Sequence, residues 1–160
     1  MLPHVREVLV RRAVDADADA VADVWLRSRL ASMPAIPAPV HHDDEVRRWF
    51  ADVVVPHREV WIAERPNDEV VGLLVLHEDW VDQLYVDPRW FGNRVGMRLL
   101  DLAKQRRPDG LQLWVFETNT AARRFYERHG FIAVEATDGD NEEGAPDVRY
   151  EWRPPQAAST

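Results

Sequence analysis

Residues 83–100 read QLYVDPRWFGNRVGMRLL. An apolar run ends at Pro88, a turn-rich stretch follows, and apolar residues recur at helical spacing from Val95 onward. Proline cannot donate to a strand ladder, and it drives the residue before it into extended backbone. A strand therefore runs into a loop, and the loop opens a helix. The first amides of a helix lack intrahelical partners and carry the positive end of its dipole, which makes such a junction an anion site. Gly92 and Gly96 let a ligand approach the backbone closely. No Gly-Lys-Ser/Thr follows, so this is not a Walker loop, and the GxGxxG dinucleotide fingerprint is absent. Alone, the stretch is a weak phosphate-loop signal.

Further along, residues 119–131 read NTAARRFYERHGF. Asn119 suits a helix N-cap, and Gly130 suits the left-handed turn that ends a helix. Between them Ala122, Phe125, Tyr126 and His129 share one broad face. Folding alone explains all of this. Yet Asn119 and Tyr126 lie two turns apart near that face, so one elongated ligand can touch both.

The remaining elements follow from periodicity and punctuation. Residues 5–14 read as a strand. Helices follow from DADADAVADVWLRSRL, with Ala18, Val21, Ala22 and Trp25 inward, and from HHDDEVRRWFADVVV, with Val46, Trp49, Phe50 and Val53 on one face. The spacing of Asp15, Asp17 and Asp19 imitates a calcium loop. Ala20 and Leu26 stand where Gly and Glu are needed, so a helix start is the better reading. Strands REVWIAER and EVVGLLVLHE form a hairpin, and strands from LQLWVFE, FIAVEAT and VRYEWR complete the set. The order β-α-α-β-β-β-α-β-α-β-β predicts a mixed sheet with helices packed on it, α/β or α+β. One domain is expected over 1–153, with 154–160 as a frayed tail.

Composition limits the function. The chain has 160 residues, 46% of them hydrophobic, and a formal charge of −8. No apolar run approaches the roughly 18 residues of a membrane span. The negative charge disfavours nucleic acid, whose binding rests on basic patches. There is no cysteine, which excludes disulfides, thiolate metal sites and a Cys nucleophile, and suits the cytoplasm. His41 and His42 are adjacent, so their side chains diverge and no metal is expected there.

Together, the strand–loop–helix, the next strand and Asn-x-x-Ala-x-x-Phe-Tyr-x-x-x-Gly-Phe resemble the GNAT superfamily of acetyl-CoA-dependent N-acyltransferases. The resemblance is strongest from Leu84 to Phe131 and implies the family fold, with acetyl-CoA as co-substrate and no metal. It implies that the edge at Leu84, Tyr85 and Val86 pairs with pantetheine. The loop Gly92, Asn93, Arg94, Val95, Gly96 and Met97 would hold the pyrophosphate, Asn119 would contact the coenzyme arm, and Tyr126 would be the general acid at sulfur. The family loop usually reads Gln/Arg-x-x-Gly-x-Gly/Ala. Here Phe91 replaces the polar residue and Arg94 the first Gly, which adds a side chain, and possible backbone strain, beside the phosphates. Dimers are frequent in that family, so a homodimer is an expectation by analogy.

The acceptor is expected to be an amine. A lysine-like amine is neutral in only about one molecule in 2,500 at pH 7, and reaching that form costs about 4.6 kcal/mol. A base, a water relay or a low-pKa amine is therefore needed; the candidate bases are Glu78, Asp79, Asp82 and Glu117, with Asp82 and Glu117 foremost, and His77 after them. Alternation puts Asp82 on the face of Leu84 and Val86. The loops MPAIPAPVHHDDEVRRWF and TDGDNEEGAPDVRYEW carry acids and Trp that suit a cationic acceptor. Direct transfer is expected, since no Cys and no G-x-S-x-G elbow exist. The competing reading is a binding or regulatory module of the same fold, with weak CoA binding because of Phe91 and Arg94.

Overall fold

The computed structural model describes residues 8–92 and 94–155. Residues 5–7 of the expected first strand, Asn93, and residues 156–160 of the expected tail lie outside the described residues. In chain order the elements are β1 (Leu9–Arg12), α1 (Ala18–Ser32), α2 (Asp43–Trp49), α3 (Val55–His57), β2 (Glu59–Glu64), β3 (Val70–His77) and β4 (Trp80–Val86). There follow α4 (Val95–Arg106), β5 (Leu111–Phe116), α5 (Thr120–Arg128), β6 (Ile132–Thr137) and β7 (Asp147–Trp152). The order is the expected one, with α3 continuing α2 through a π-helical stretch, Phe50–Val54.

Seven strands form one mixed sheet in the order β1-β2-β3-β4-β5-β7-β6. Every neighbouring pair is antiparallel except β4 and β5. β3, VVGLLVLH, is buried along almost its whole length because helices cover both of its faces. Its side chains alternate between two cores. Leu73 and Val75 join Val21, Val24 and Phe50 beneath α1 and α2. Leu74 and Leu76 join Leu99, Leu100 and Leu113 beneath α4 and α5. No helix among the described residues is long and apolar enough to cross a membrane.

The second helix departs from its expected face in one place. Val46 and Phe50 are buried as expected, but Val53 is exposed and Val54 is fully buried in its stead. The π-helical turn supplies the reason: its i→i+5 bonding fits an extra residue into the turn and moves the inward position on by one. At the start of α1, Asp17 accepts from the Val14 amide at 2.7 Å and pairs with Arg11 at 2.9 Å. Its role is to fix the turn into the helix.

Glu59 ties the sheet to the end of α4. Its carboxylate accepts from Arg106 Nε at 2.7 Å, from Arg107 at 3.1 Å and from Trp61 Nε1 at 2.7 Å. Burial alone pushes the carboxyl up, but these hydrogen bonds outweigh it and hold the group down at about 2. A depressed carboxyl contributes stability above its unfolded value and loses it as pH falls through the folded value. Glu59→Gln should therefore lower the unfolding free energy at pH 7 by about 2 kcal/mol, read from urea melts. The gap between variant and wild type should narrow as pH falls from 4.5 toward about 2.

Candidate active site

The parallel pair β4–β5 meets at one point. Trp80 stands opposite Gln112, and the Gln112 amide donates to the Asp79 carbonyl at 3.0 Å. From Val81 onward no β4 residue pairs with β5. The strands splay, and a cavity of about 890 Å³ occupies the gap. Leu84, Tyr85 and Val86 line one wall. Ser28 on α1 reaches this wall and donates its hydroxyl to the Val86 carbonyl at 2.9 Å. Its sequence signal is a small polar residue in a buried helical stripe.

The loop after β4 is held by Asp87, a nearly fully buried carboxylate. It accepts from the Arg89 amide at 3.0 Å and pairs with Arg27 at 2.9 Å. Burial raises this carboxyl, but hydrogen bonds from Arg89 and Arg27 prevail and lower it overall. The loop then delivers Gly92, with φ 81°, and Arg94, with φ 61°. Arg94 takes the left-handed conformation that a glycine would hold freely, a strain of about 1 kcal/mol. It places no side-chain cap on α4, so the amides of Val95, Gly96 and Met97 open toward the cavity they line. A methyl group on Gly96 would lie 3.5 Å from Phe125 and 3.7 Å from Val86, in ordinary contact. Its absence leaves room for ligand rather than relieving a clash. The guanidiniums of Arg94 and Arg128 also line the cavity, and neither has a hydrogen-bonding or ionic partner among the described residues.

α5 forms the facing wall. Asn119 caps it, its side-chain oxygen accepting from the Ala122 amide at 3.3 Å, and Gly130 ends the turn with φ 90°. Asn119 and Tyr126 both line the cavity. The Tyr126 ring packs against Phe125 and Phe131, with centroids 5.3 and 5.5 Å away. Its hydroxyl has no hydrogen-bond partner among the described residues. Burial, with a smaller contribution from Tyr85, pushes this phenol well above its ordinary value. His129 lines the cavity too, and burial followed by Lys104 lowers its basicity.

The carboxylates expected as bases separate. Asp82 lines the cavity, whereas Glu117 is exposed beyond β5 and does not. Asp82 also sits on a different face from the expected one. The ladder between β3 and β4 shifts there, Val75 opposing Gln83 and Leu76 opposing Val81. This bulge breaks the alternation. Leu84 and Val86 pack with the α4 core, while Asp82 pairs with Arg58 and Gln83 accepts from Trp25 of α1. The acidic loop adds Asp140, Asn141, Glu143 and Asp147 to the same cavity. No single one of these was marked by the sequence, because the long-range pairing of β7 brings them in. The cavity wall thus carries the start of α4, two arginines, several carboxylates and a buried phenol.

Residues 56–133 match the model of the acetyltransferase (GNAT) domain. The chain is 28% identical over 132 residues to the peptidyl-lysine N-acetyltransferase YjaB of Salmonella typhimurium, covering 82% of this chain and 88% of that protein. The solution structure of apo-form YjaB from Escherichia coli superposes with a TM-score of 0.75 at 23% identity, covering 93% of this chain and 99% of that one. The PaiA N-acetyltransferase of Thermoplasma acidophilum, solved in complex with coenzyme A, gives a TM-score of 0.69 at 15% identity over 92% and 99% of the two chains. The splayed strands, the open helix start and these likenesses agree: the chain belongs to the GNAT superfamily of acetyl-CoA-dependent N-acetyltransferases.

Proposed function

We propose that residues 1–153 form one domain that transfers acetyl directly from acetyl-CoA to the side-chain amine of a lysine in a peptide or protein. The observation that carries this is one cavity, lined from both sides of the sheet, whose wall holds the open start of α4 with Arg94, a group of carboxylates and the buried phenol of Tyr126. The coenzyme's pyrophosphate lies against the amides of Val95, Gly96 and Met97, and Arg94 adds a charge-assisted contact. Pantetheine follows the β4 edge toward Tyr126 and passes Asn119. The lysine acceptor accords with the carboxylates of the cavity wall, and the similar proteins of Salmonella typhimurium and Escherichia coli carry the name peptidyl-lysine N-acetyltransferase. A cytoplasmic location goes with a co-substrate made in that compartment.

In the reaction the amine nitrogen attacks the thioester carbon, an N–C bond forms, and the C–S bond breaks. The proton shed by the amine passes to Asp82, directly or through a water. Glu117, the other carboxylate considered, lies off the cavity. The departing sulfur receives a hydrogen bond, and then a proton, from Tyr126. A thiol ionises near about 8.5 and a free phenol near about 10. The raised phenol therefore keeps its proton at neutral pH, and the Tyr126 hydroxyl has no competing partner among the described residues. Full transfer to sulfur is uphill, so Tyr126 acts mainly by stabilising negative charge as it develops.

The Phe91 and Arg94 departures would favour a pure binding module if they closed the loop. Arg94 instead adopts the glycine-like conformation itself, and the amides beyond it remain open.

Two outcomes are expected. Tyr126→Phe should lower kcat by about 10² or more while acetyl-CoA affinity stays within about threefold. Unchanged turnover across pH, with the fold intact by circular dichroism, would contradict the acid role. Arg94→Gly should raise the unfolding free energy by about 1 kcal/mol by removing the strain. The same variant should weaken acetyl-CoA binding about tenfold in low salt, measured by calorimetry, because the phosphates lose a guanidinium.

A further inference from the structure

Asp147 is a buried carboxylate in the cavity wall, 8% exposed, with no cation to balance it among the described residues. It opens β7 opposite Phe116, the last residue of β5. The strand positions that alternate with it, Val148 and Tyr150, face the α4 and α5 core. Alternation therefore turns Asp147 to the α1 side of the sheet, across the opening from Tyr126. One carboxylate oxygen accepts from the Thr137 hydroxyl. The other accepts from Asn141 Nδ2 at 3.0 Å. Asn141 is itself fixed by Ala145, whose carbonyl accepts at 2.7 Å and whose amide donates at 3.2 Å. The acidic loop thus folds around this one group and holds it still. Its neighbour Glu143 already has a cation, Arg29, at 3.7 Å.

A carboxylate offers about four acceptor positions, and two neutral donors fill only part of them. Burying such a charge is costly unless a cation completes it. The cavity is the direction from which one can come. An ammonium supplies three donors and a full positive charge, and the α1 side of the cavity is lined by Ser28, Ser32 and Ile36 as well.

We propose that Asp147 seats the ammonium of the acceptor and so makes the enzyme selective for cationic primary amines. This rests on the acetyltransferase reading, and it assigns a specificity role within that site. Asp147 binds the amine while it is still charged; the proton then leaves toward Asp82, and the neutral nitrogen turns to the thioester.

The test compares wild type with Asp147→Asn on two acceptors at pH 8, Nα-acetyl-lysine amide, which is cationic, and hydroxylamine, which is not. Asn keeps the size and an oxygen for Thr137 but removes the charge. We expect KM for the lysine amide to rise at least about tenfold, with kcat less affected, and KM for hydroxylamine to hold. Acetyl-CoA affinity should also hold. Equal losses on both acceptors, no loss on either, or loss of acetyl-CoA binding would overturn the proposal in favour of a purely structural carboxylate. An NMR titration of CoA-loaded protein with the lysine amide separates this from the parent reading. Binding by wild type that the variant lacks supports Asp147 even where no acetyl is transferred, in which case the acetyl-transfer reading falls instead. Equal binding, or none to either protein, overturns the Asp147 assignment.

Discussion

The site exists because two neighbouring parallel strands share only one pair of residues. β4 and β5 touch at Trp80 and Gln112 and then separate. Backbone groups along a splayed edge need partners, and a gap that supplied none would be costly to keep dry. The fold answers at one end with Ser28, which caps the Val86 carbonyl. The rest of the edge faces the cavity. The helices on either side then inherit their tasks from the gap. α4 points its open amides across it, α5 lines it with Asn119 and Tyr126, and α1 closes its other side.

Charges of both signs line the same opening. A chain with a formal charge of −8 still places Arg94 and Arg128 on the cavity wall. It gathers Asp82, Asp140 and Asp147 elsewhere on the wall. Under the proposed function, a polyanionic coenzyme meets the arginines and a cationic amine meets the carboxylates. Burial of the Tyr126 phenol in this wall strengthens whatever hydrogen bond it makes.

Much of this was legible in the chain. Pro88 and the periodicity after Val95 marked the strand–loop–helix, and Asn119 and Gly130 marked the ends of α5. Those signals are local, and they held because local rules governed the outcome. What failed was set by irregularities that pattern reading cannot see. A bulge turned Asp82 to the other face, and a π-helical turn exchanged Val53 for Val54 in the core. Arg94 resolved the glycine problem by adopting the strained conformation itself. Asp147 was hidden for a different reason. Its burial depends on β7 inserting between β5 and β6, a pairing between segments far apart in sequence. Among nearby acids on one loop, nothing local distinguishes the one that the sheet will bury.

The measurement that bears most directly on the account is a calorimetric titration of the purified protein with acetyl-CoA. The geometry predicts saturable one-to-one binding at micromolar ligand that weakens as salt rises, because phosphates meet helix amides and Arg94. Absence of binding at millimolar acetyl-CoA would contradict it, since the gap between β4 and β5 would then have no coenzyme to hold.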